Sequence, residues 1–272
     1  MILFPNCKIN LGLHILRKRD DGFHDLETIF YPLQLQDALE VIHGDTGSDV
    51  QFTSSGIMLD VNAADNICVK AYHLLKADFP DLPPIKMHLH KNIPSGAGLG
   101  GGSADGAFTL LLFNKKFQLH LSEKQLINYA LQLGSDCPFF IKNIPCFARG
   151  RGEYLEPIDL NLASYKIIIV NPGIHINTGW AFKQLTPQAD RIPLKDTILQ
   201  PVHEWKNILV NDFEAPIFQH YPEIAAIKEN FYQAGAVFAA MSGSGSTVFG
   251  LFEKDVTPNL SFPAHYFVRI IS

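Results

Sequence analysis

The sequence lacks most of the features that mark specialised protein classes. Four cysteines occur in 272 residues (Cys7, Cys68, Cys137 and Cys146), and none forms a C-x-x-C pair or a metal-ligand spacing. That excludes a disulfide framework and a zinc ribbon, and leaves free intracellular thiols. No stretch supplies the ~20 apolar residues of a membrane span. The N-terminus, Met1-Ile-Leu-Phe-Pro5, has no basic region and no long apolar run, so no signal peptide is read and a cytoplasmic location is expected. Basic charge is scarce as well. With 22 Lys and Arg against 27 Asp and Glu, the net charge is −5, which argues against a nucleic-acid partner. There is no His-Glu-x-x-His and no Gly-x-Ser-x-Gly. His88 and His90 share a strand face with Lys86, which reads as a solvated face, not a metal site.

What the sequence does hold is glycine, concentrated in one place. Pro94 to Ala107 reads PSGAGLGGGSADGA, six glycines in fourteen positions. Each costs conformational entropy on folding, so the run needs a reason, and close approach of a ligand to bare backbone is the usual one. Before it, Ile85 to His90 alternates apolar and polar, which predicts a half-buried strand. After it, Ser103 is placed to cap a helix carrying Ala107, Phe108, Leu110, Leu111 and Leu112. A strand, a glycine loop and a helix N-terminus make an anion site, suited to a nucleotide phosphate. The Walker A pattern fails, because Ser103 and Ala104 follow Gly102 and no lysine does. Gly96-Ala-Gly98-Leu-Gly100-Gly101 satisfies the spacing of a dinucleotide loop. The acidic residue expected roughly 20 residues on is replaced by Ser122-Glu-Lys-Gln125, a capping box.

Elsewhere strands and helices alternate. Strands are expected over Lys8 to Leu16, Ile29 to Leu35 and Leu39 to His43, and a helix over Asn66 to Lys76 with Asp65 as cap. A second helix is expected over Ser122 to Leu133, stopped by Gly134, and a hairpin over Ile141 to Ile158 around Arg149-Gly-Arg-Gly152. Beyond Leu160, Lys166 to Val170 reads as a buried strand, Gln184 to Gln200 as loops and short helices, and Pro222 to Tyr232 as a helix. Two strands, Ala236 to Met241 and Thr247 to Phe252, flank Ser242-Gly-Ser-Gly-Ser246, and Phe267 to Ile271 closes the chain. The whole reads as α+β, with two domains, 1–158 and 159–272, and a site between them.

Pro94-Ser-Gly-Ala-Gly98-Leu99-Gly100-Gly101-Gly102-Ser103 resembles the phosphate loop of the GHMP kinases, P-x-x-x-G-L-G-[GS]-[GS]-[SA]. Pro5-Asn6-Cys7-Lys8-Ile9-Asn10-Leu11 is similar to that family's first motif, and Ala240-Met-Ser-Gly-Ser-Gly-Ser-Thr-Val-Phe249 to its third. The three fall in family order over essentially the whole chain. The resemblance implies the two-domain GHMP fold, with an N-terminal domain like domain 2 of ribosomal protein S5 and a ferredoxin-like C-terminal domain. It also implies ATP and Mg²⁺ as cofactors, with ATP wrapped by Pro94, Ser95, Gly96, Ala97, Gly98, Leu99, Gly100, Gly101, Gly102, Ser103 and Ala104. Lys91, Asn66 and Asn62 are further nucleotide-side candidates.

Within the family, Arg19-Asp20-Asp21-Gly22-Phe23-His24-Asp25-Leu26 resembles R-x-D-G-[YF]-H-x-[LI], a segment of the branch that phosphorylates a cytidine diphosphate-linked methylerythritol. Gly134-Ser135-Asp136-Cys137-Pro138-Phe139-Phe140 is similar to a second segment of that branch, which serves the non-mevalonate route to isoprenoids. The resemblance implies transfer of the ATP γ-phosphoryl to the 2-hydroxyl of the methylerythritol moiety. The partner is a small molecule, and a monomer or weak homodimer is expected.

The residue chemistry suits those roles. Asp136 can accept the hydroxyl proton, and Lys8 can keep Asp136 ionised and offset charge on the phosphoryl group. Taken alone, Asp136 reads as a turn or cap residue before Pro138. Phe23 offers a ring for stacking and His24 an imidazole for a pyrimidine edge, the less favoured alternative being that Phe23 packs a core and His24 faces water. Phe182 is the expected second stacking aromatic, with Trp180 as the alternative. Asn10 is expected to orient Lys8 or substrate.

Two positions depart from the family pattern. Asn6-Cys7 puts one extra residue between Pro5 and Lys8, and Ala104 stands where a second serine is common. Gly106, inside the following helix, suggests a close backbone neighbour at a cost of roughly 1 kcal/mol. Two rivals remain at this stage: another GHMP small-molecule kinase, and a silent nucleotide sensor that would need neither Lys8 nor Asp136.

Overall fold

The computed structural model describes residues 1–45, 47–58 and 62–271. The chain divides into two compact units, neither continuous in sequence. The first comprises Met1–Cys7, Gln34–Ser95 and Gly100–Ile144; the second comprises Lys8–Leu33, Gly96–Leu99 and Pro145–Ser272.

In the first unit, Ile2–Leu3, Ala38–His43, Ile85–Lys91 and Val50–Gly56 form a sheet in that order. Its last pairing is parallel and the others antiparallel. The alternation read in Ile85 to His90 is realised: Ile85, Met87 and Leu89 are buried. On the opposite face His88 bonds Thr53 and Ser55, and His90 bonds Ser55, so the two histidines serve cross-strand hydrogen bonds. Helices Ile67–Asp78, Gly101–Lys116, Glu123–Leu133 and Cys137–Lys142 complete the unit. The capping box forms as expected, with Ser122 and Gln125 bonding reciprocally.

Three local expectations need correction. Ser103 caps nothing; the helix starts at Gly101 with Gly100 as its left-handed N-cap, φ +69°. Asn66, not Asp65, caps the helix Ile67–Asp78, its Oδ1 accepting the Cys68 N–H at 2.9 Å. Ile141 belongs to the short helix Cys137–Lys142, so the hairpin begins only at Cys146. Pro138 in the first turn favours that helix. The close neighbour of Gly106 is a side chain, with a Cβ there falling 2.8 Å from Ile67 Cγ1.

The second unit holds two antiparallel sheets. One runs in the order Asn6–Lys18, His24–Gln36, Cys146–Gly150, Tyr154–Pro157; the other Phe238–Met241, Val248–Glu253, Tyr165–Asn171, Phe267–Ile271. Leu13 and Ile15 join a core with Ile168, Val170, Phe213, Ile217, Ile227 and Phe252. Packing of the first sheet onto the second sheet and the helices Glu214–His220 and Pro222–Gln233 therefore fixes the strand that carries Lys8 and Asn10. Among the described residues no helix is long and apolar enough to cross a membrane.

Candidate active site

The glycine loop is shared by the two units: Pro94 and Ser95 belong to the first, Gly96–Leu99 to the second, and Gly100 onward to the first again. Gly96, Gly98 and Gly100 all take left-handed backbone, φ +66°, +80° and +69°. A residue with a Cβ pays ~1–2 kcal/mol for that conformation, so the alternate glycines are what let the chain coil here. The first turn of the helix Gly101–Lys116 leaves backbone N–H groups without intrahelical acceptors, the donors an anion needs. Gly102 is exposed, and a Cβ on it would meet no atom within 4 Å.

In the second unit Lys8 is nearly buried, at 3% exposure. Its ammonium donates to Asn10 Oδ1 at 2.6 Å and to the Gly98 carbonyl at 3.1 Å, and lies 5.1 Å over the Phe30 ring. Asn10 is held in turn, its Nδ2 donating to Thr28 Oγ1 at 2.9 Å and its backbone N–H to Ser242 Oγ at 3.1 Å. The Ser242 hydroxyl donates to the same Gly98 carbonyl at 2.8 Å. Packing here is tight enough to demand glycine. A Cβ on Gly98 would fall 1.9 Å from the Ser242 carbonyl oxygen, and one on Gly245 would fall 2.2 Å from Gly98 N. The first, second and third motifs are thus joined through one carbonyl. Thr28 and Ser242, absent from the expected site residues, hold that junction; the third motif was the available signal.

The extra residue of the first motif has a structural use. The Asn6 and Asn143 amides bond reciprocally, at 3.1 and 2.8 Å, within the first unit. Asn143 terminates the helix Cys137–Lys142, and Asp136 opens it. Asp136 occupies the cap position, yet its carboxylate makes no capping hydrogen bond, so the cap reading does not account for it. The neighbouring Cys137 thiol, pushed up to about 12 by burial, is hydrogen-bonded by Ser103 and is inert at neutral pH.

The aromatic candidates come together in the second unit. His24 stacks on Phe182, ring centroids 4.7 Å apart at 18°. Phe182 also meets Phe213 edge-on, whereas Trp180 packs against His220 and Tyr221. Of the two alternatives, Phe182 is therefore the one beside His24. Burial, aided by the charge of Lys18, lowers the His24 pKa and favours the neutral imidazole. Phe23 is 52% exposed, with the Arg151 guanidinium 4.8 Å from its centroid.

Lys91 and Asn66 are committed elsewhere. The Lys91 ammonium is paired with the buried carboxylates of Asp37 and Asp105, and the Asn66 side chain caps its helix. Asn62 is exposed beside the short turn Ala63–Asp65. No group of three or more His, Cys, Asp or Glu that could hold a metal occurs among the described residues.

Comparison with known proteins agrees with this arrangement. The family described as GHMP kinases N terminal domain matches residues 66–144, and that described as GHMP kinases C terminal matches 197–259. A 4-diphosphocytidyl-2-C-methyl-D-erythritol kinase of Bacteroides fragilis is 52% identical over 256 residues, covering 94% of this chain and 93% of its own. One from Azobacteroides pseudotrichonymphae is 49% identical over 271 residues, covering 98% and 100%. A crystal structure of a 4-(cytidine 5'-diphospho)-2C-methyl-D-erythritol kinase superposes with a TM-score of 0.80 at 30% identity, covering 92% of this chain and 90% of that one. A homoserine kinase from Cytophaga hutchinsonii shares the fold alone, with a TM-score of 0.68 at 15% identity over 98% of this chain and 95% of that one. At half identity over nearly the full length, and with the three motifs meeting at Gly98, the chain belongs to the GHMP kinases, in the 4-diphosphocytidyl-2-C-methyl-D-erythritol kinase family.

Proposed function

We propose that this chain transfers the γ-phosphoryl group of ATP to the 2-hydroxyl of 4-diphosphocytidyl-2-C-methyl-D-erythritol, a step of the non-mevalonate isoprenoid route. The relatives' shared name supports the reaction, and the observation that carries the substrate choice is the His24–Phe182 stack beside exposed Phe23. A flat apolar ring and a neutral imidazole are what a cytosine needs, one for its face and one for its edge. Mevalonate and homoserine have no aromatic base to use them.

The chemistry asks for alignment and charge neutralisation more than covalent work. The loop N–H groups and the helix N-terminus receive the triphosphate. Asp136 accepts the proton of the 2-hydroxyl as its oxygen attacks the γ-phosphorus, the bond from that phosphorus to the β,γ-bridging oxygen breaks, and ADP leaves. Lys8, held by Asn10 and Gly98, offsets charge developing on the transferred group. Mg²⁺ carried on ATP needs only one or two protein oxygens, and the part-exposed Ser103 hydroxyl at the helix N-terminus suits it. When bound, the ion would offset the charge of the triphosphate.

The same reading makes the protein cytoplasmic, a monomer or weak homodimer, and free of nucleic-acid and membrane partners. Along the sequence it assigns ATP binding to a family domain over 1–158 and a C-terminal family domain to 159–272, a division distinct from that of the two compact units. A coupled ATPase assay comparing the cytidylylated alcohol with mevalonate and homoserine tests the proposal. Turnover with the first alone is expected, and preference for either of the others would refute it.

A further inference from the structure

Three charged side chains lie out of water in the first unit: Asp37 at 1%, Lys91 at 1% and Asp105 at 2% exposure. Strand parity puts Lys91 there, because it continues the buried face of Ile85, Met87 and Leu89. Its ammonium donates to Asp37 Oδ2 and, at 2.7 Å, to Asp105 Oδ2. The other oxygen of Asp37 accepts the backbone N–H groups of Asn92 at 2.5 Å and Ile93 at 2.9 Å. Those two residues lead directly into Pro94. Asp105 lies near the start of the helix Gly101–Lys116, into which the loop runs out. Gly101 closes the circuit, since a Cβ on it would fall 2.8 Å from Ile93 Cγ2 and 3.5 Å from Lys91 Nζ.

One connected network therefore holds both ends of a loop whose own backbone, with three left-handed glycines, has little stiffness. Stability alone does not call for it, because apolar residues of similar volume serve a core as well as a buried ion cluster does. Burial pushes the Asp105 carboxyl up against the pull of Lys91. Asp105 Oδ1 has no hydrogen-bond partner, so the bond of Oδ2 to Lys91 is what ties this side chain to the network.

We propose that Asp37, Lys91 and Asp105 form a clamp that sets the spacing of the two ends of the phosphate loop and thereby its affinity for ATP. They are positioning residues, acting through the backbone of 92–93 and Gly101 and touching no substrate. The inference rests on the reading of the loop as the ATP site.

The test uses the full chain, with ATP binding measured by calorimetry without the acceptor alcohol, KM measured for each substrate, and thermal unfolding measured alongside. Asp37→Asn is expected to raise the ATP Kd and KM by ~10-fold or more, with KM for the alcohol near the parent value. If that variant does not fold, Asp37→Asn with Lys91→Met removes both charges together and keeps an acceptor for the two amides. This double variant is expected to fold and to show the same loss of ATP affinity. Unchanged ATP affinity in a folded variant, with only a lower melting temperature, would make the cluster merely structural and overturn the clamp. A parent chain that binds no ATP would instead overturn the reading of the loop, and the clamp with it.

Discussion

The Lys8 ammonium lies 3.1 Å from the carbonyl oxygen of Gly98, so the lysine of the first motif holds the backbone of the second. The Ser242 hydroxyl shares that acceptor at 2.8 Å. In the proposed mechanism Lys8 would therefore have two duties, charge for the reaction and geometry for the loop. Lys8→Met is expected to lower kcat by roughly 10²–10³-fold through lost electrostatic stabilisation. ATP affinity is expected to weaken as well, because Gly98 loses a donor. Steady-state kinetics with ATP calorimetry check both, and kcat within a few-fold of the parent would remove Lys8 from the mechanism.

The loop's glycines are not equivalent. Gly101→Val would disturb the core at Ile93, so it is a poor probe of the ligand. Gly102 faces open space. Gly102→Val is expected to leave the melting temperature unchanged or slightly raised, because valine is the better helix former, and to weaken ATP binding by ~10-fold or more. Gly98→Ala has the opposite signature, a large loss of stability, because its Cβ would strike the Ser242 carbonyl. Equal ATP affinity for Gly102→Val and the parent would mean that the helix N-terminus does not face the phosphates.

His24→Ala removes the ring stacked on Phe182 and the proposed partner of the pyrimidine edge. The expected result is a higher KM for the cytidylylated alcohol, by an amount worth ~1–3 kcal/mol, with ATP binding unchanged. Equal losses for both ligands would make His24 a structural residue.

A pH effect follows from His14, buried on the same strand as Lys8, with its Nδ1 lacking a hydrogen-bond partner. Burial, with a contribution from Arg191, lowers its pKa to about 4 from an ordinary value of 6.5. Below 6.5 the unfolded chain binds a proton that the folded chain refuses. The stabilising term is therefore fully present above pH 6.5 and is lost as pH falls toward 4. His14→Leu abolishes that dependence, so its melting temperature relative to the parent is expected to rise over that window. A pH-independent difference would show that His14 does not titrate this way.

Local patterns in the sequence carried the regular elements, and long-range pairing hid the rest. Alternation in Ile85 to His90 predicted the strand, and extending it one residue puts Lys91 on the buried side. Asp37, its partner, lies 54 residues earlier, with nothing local to link the two. The helix start was misplaced because glycine is a poor helix former, so Gly101 and Gly102 looked like loop. Asp65 and Asn66 are chemically alike as caps, and only the backbone decides between them. Phe139, Phe140 and Ile141 form a short apolar run whose period cannot separate strand from helix. In the site, Lys8, the glycine loop and the aromatic pair were legible as motifs. Thr28 had no such signal and Ser242 only its place in the third motif, because each acts through Asn10 or Gly98 from a distant strand or turn.

The most direct measurement is phosphorus NMR of the product formed by the purified chain with ATP, Mg²⁺ and 4-diphosphocytidyl-2-C-methyl-D-erythritol. Its companion is the same reaction with Asp136→Asn, which keeps size and hydrogen bonding but removes the proposed base. The parent is expected to give one new phosphate monoester on the 2-hydroxyl, and Asp136→Asn to form it ~10²–10⁴-fold more slowly. No monoester from the parent, or an undiminished rate from Asp136→Asn, would contradict the account.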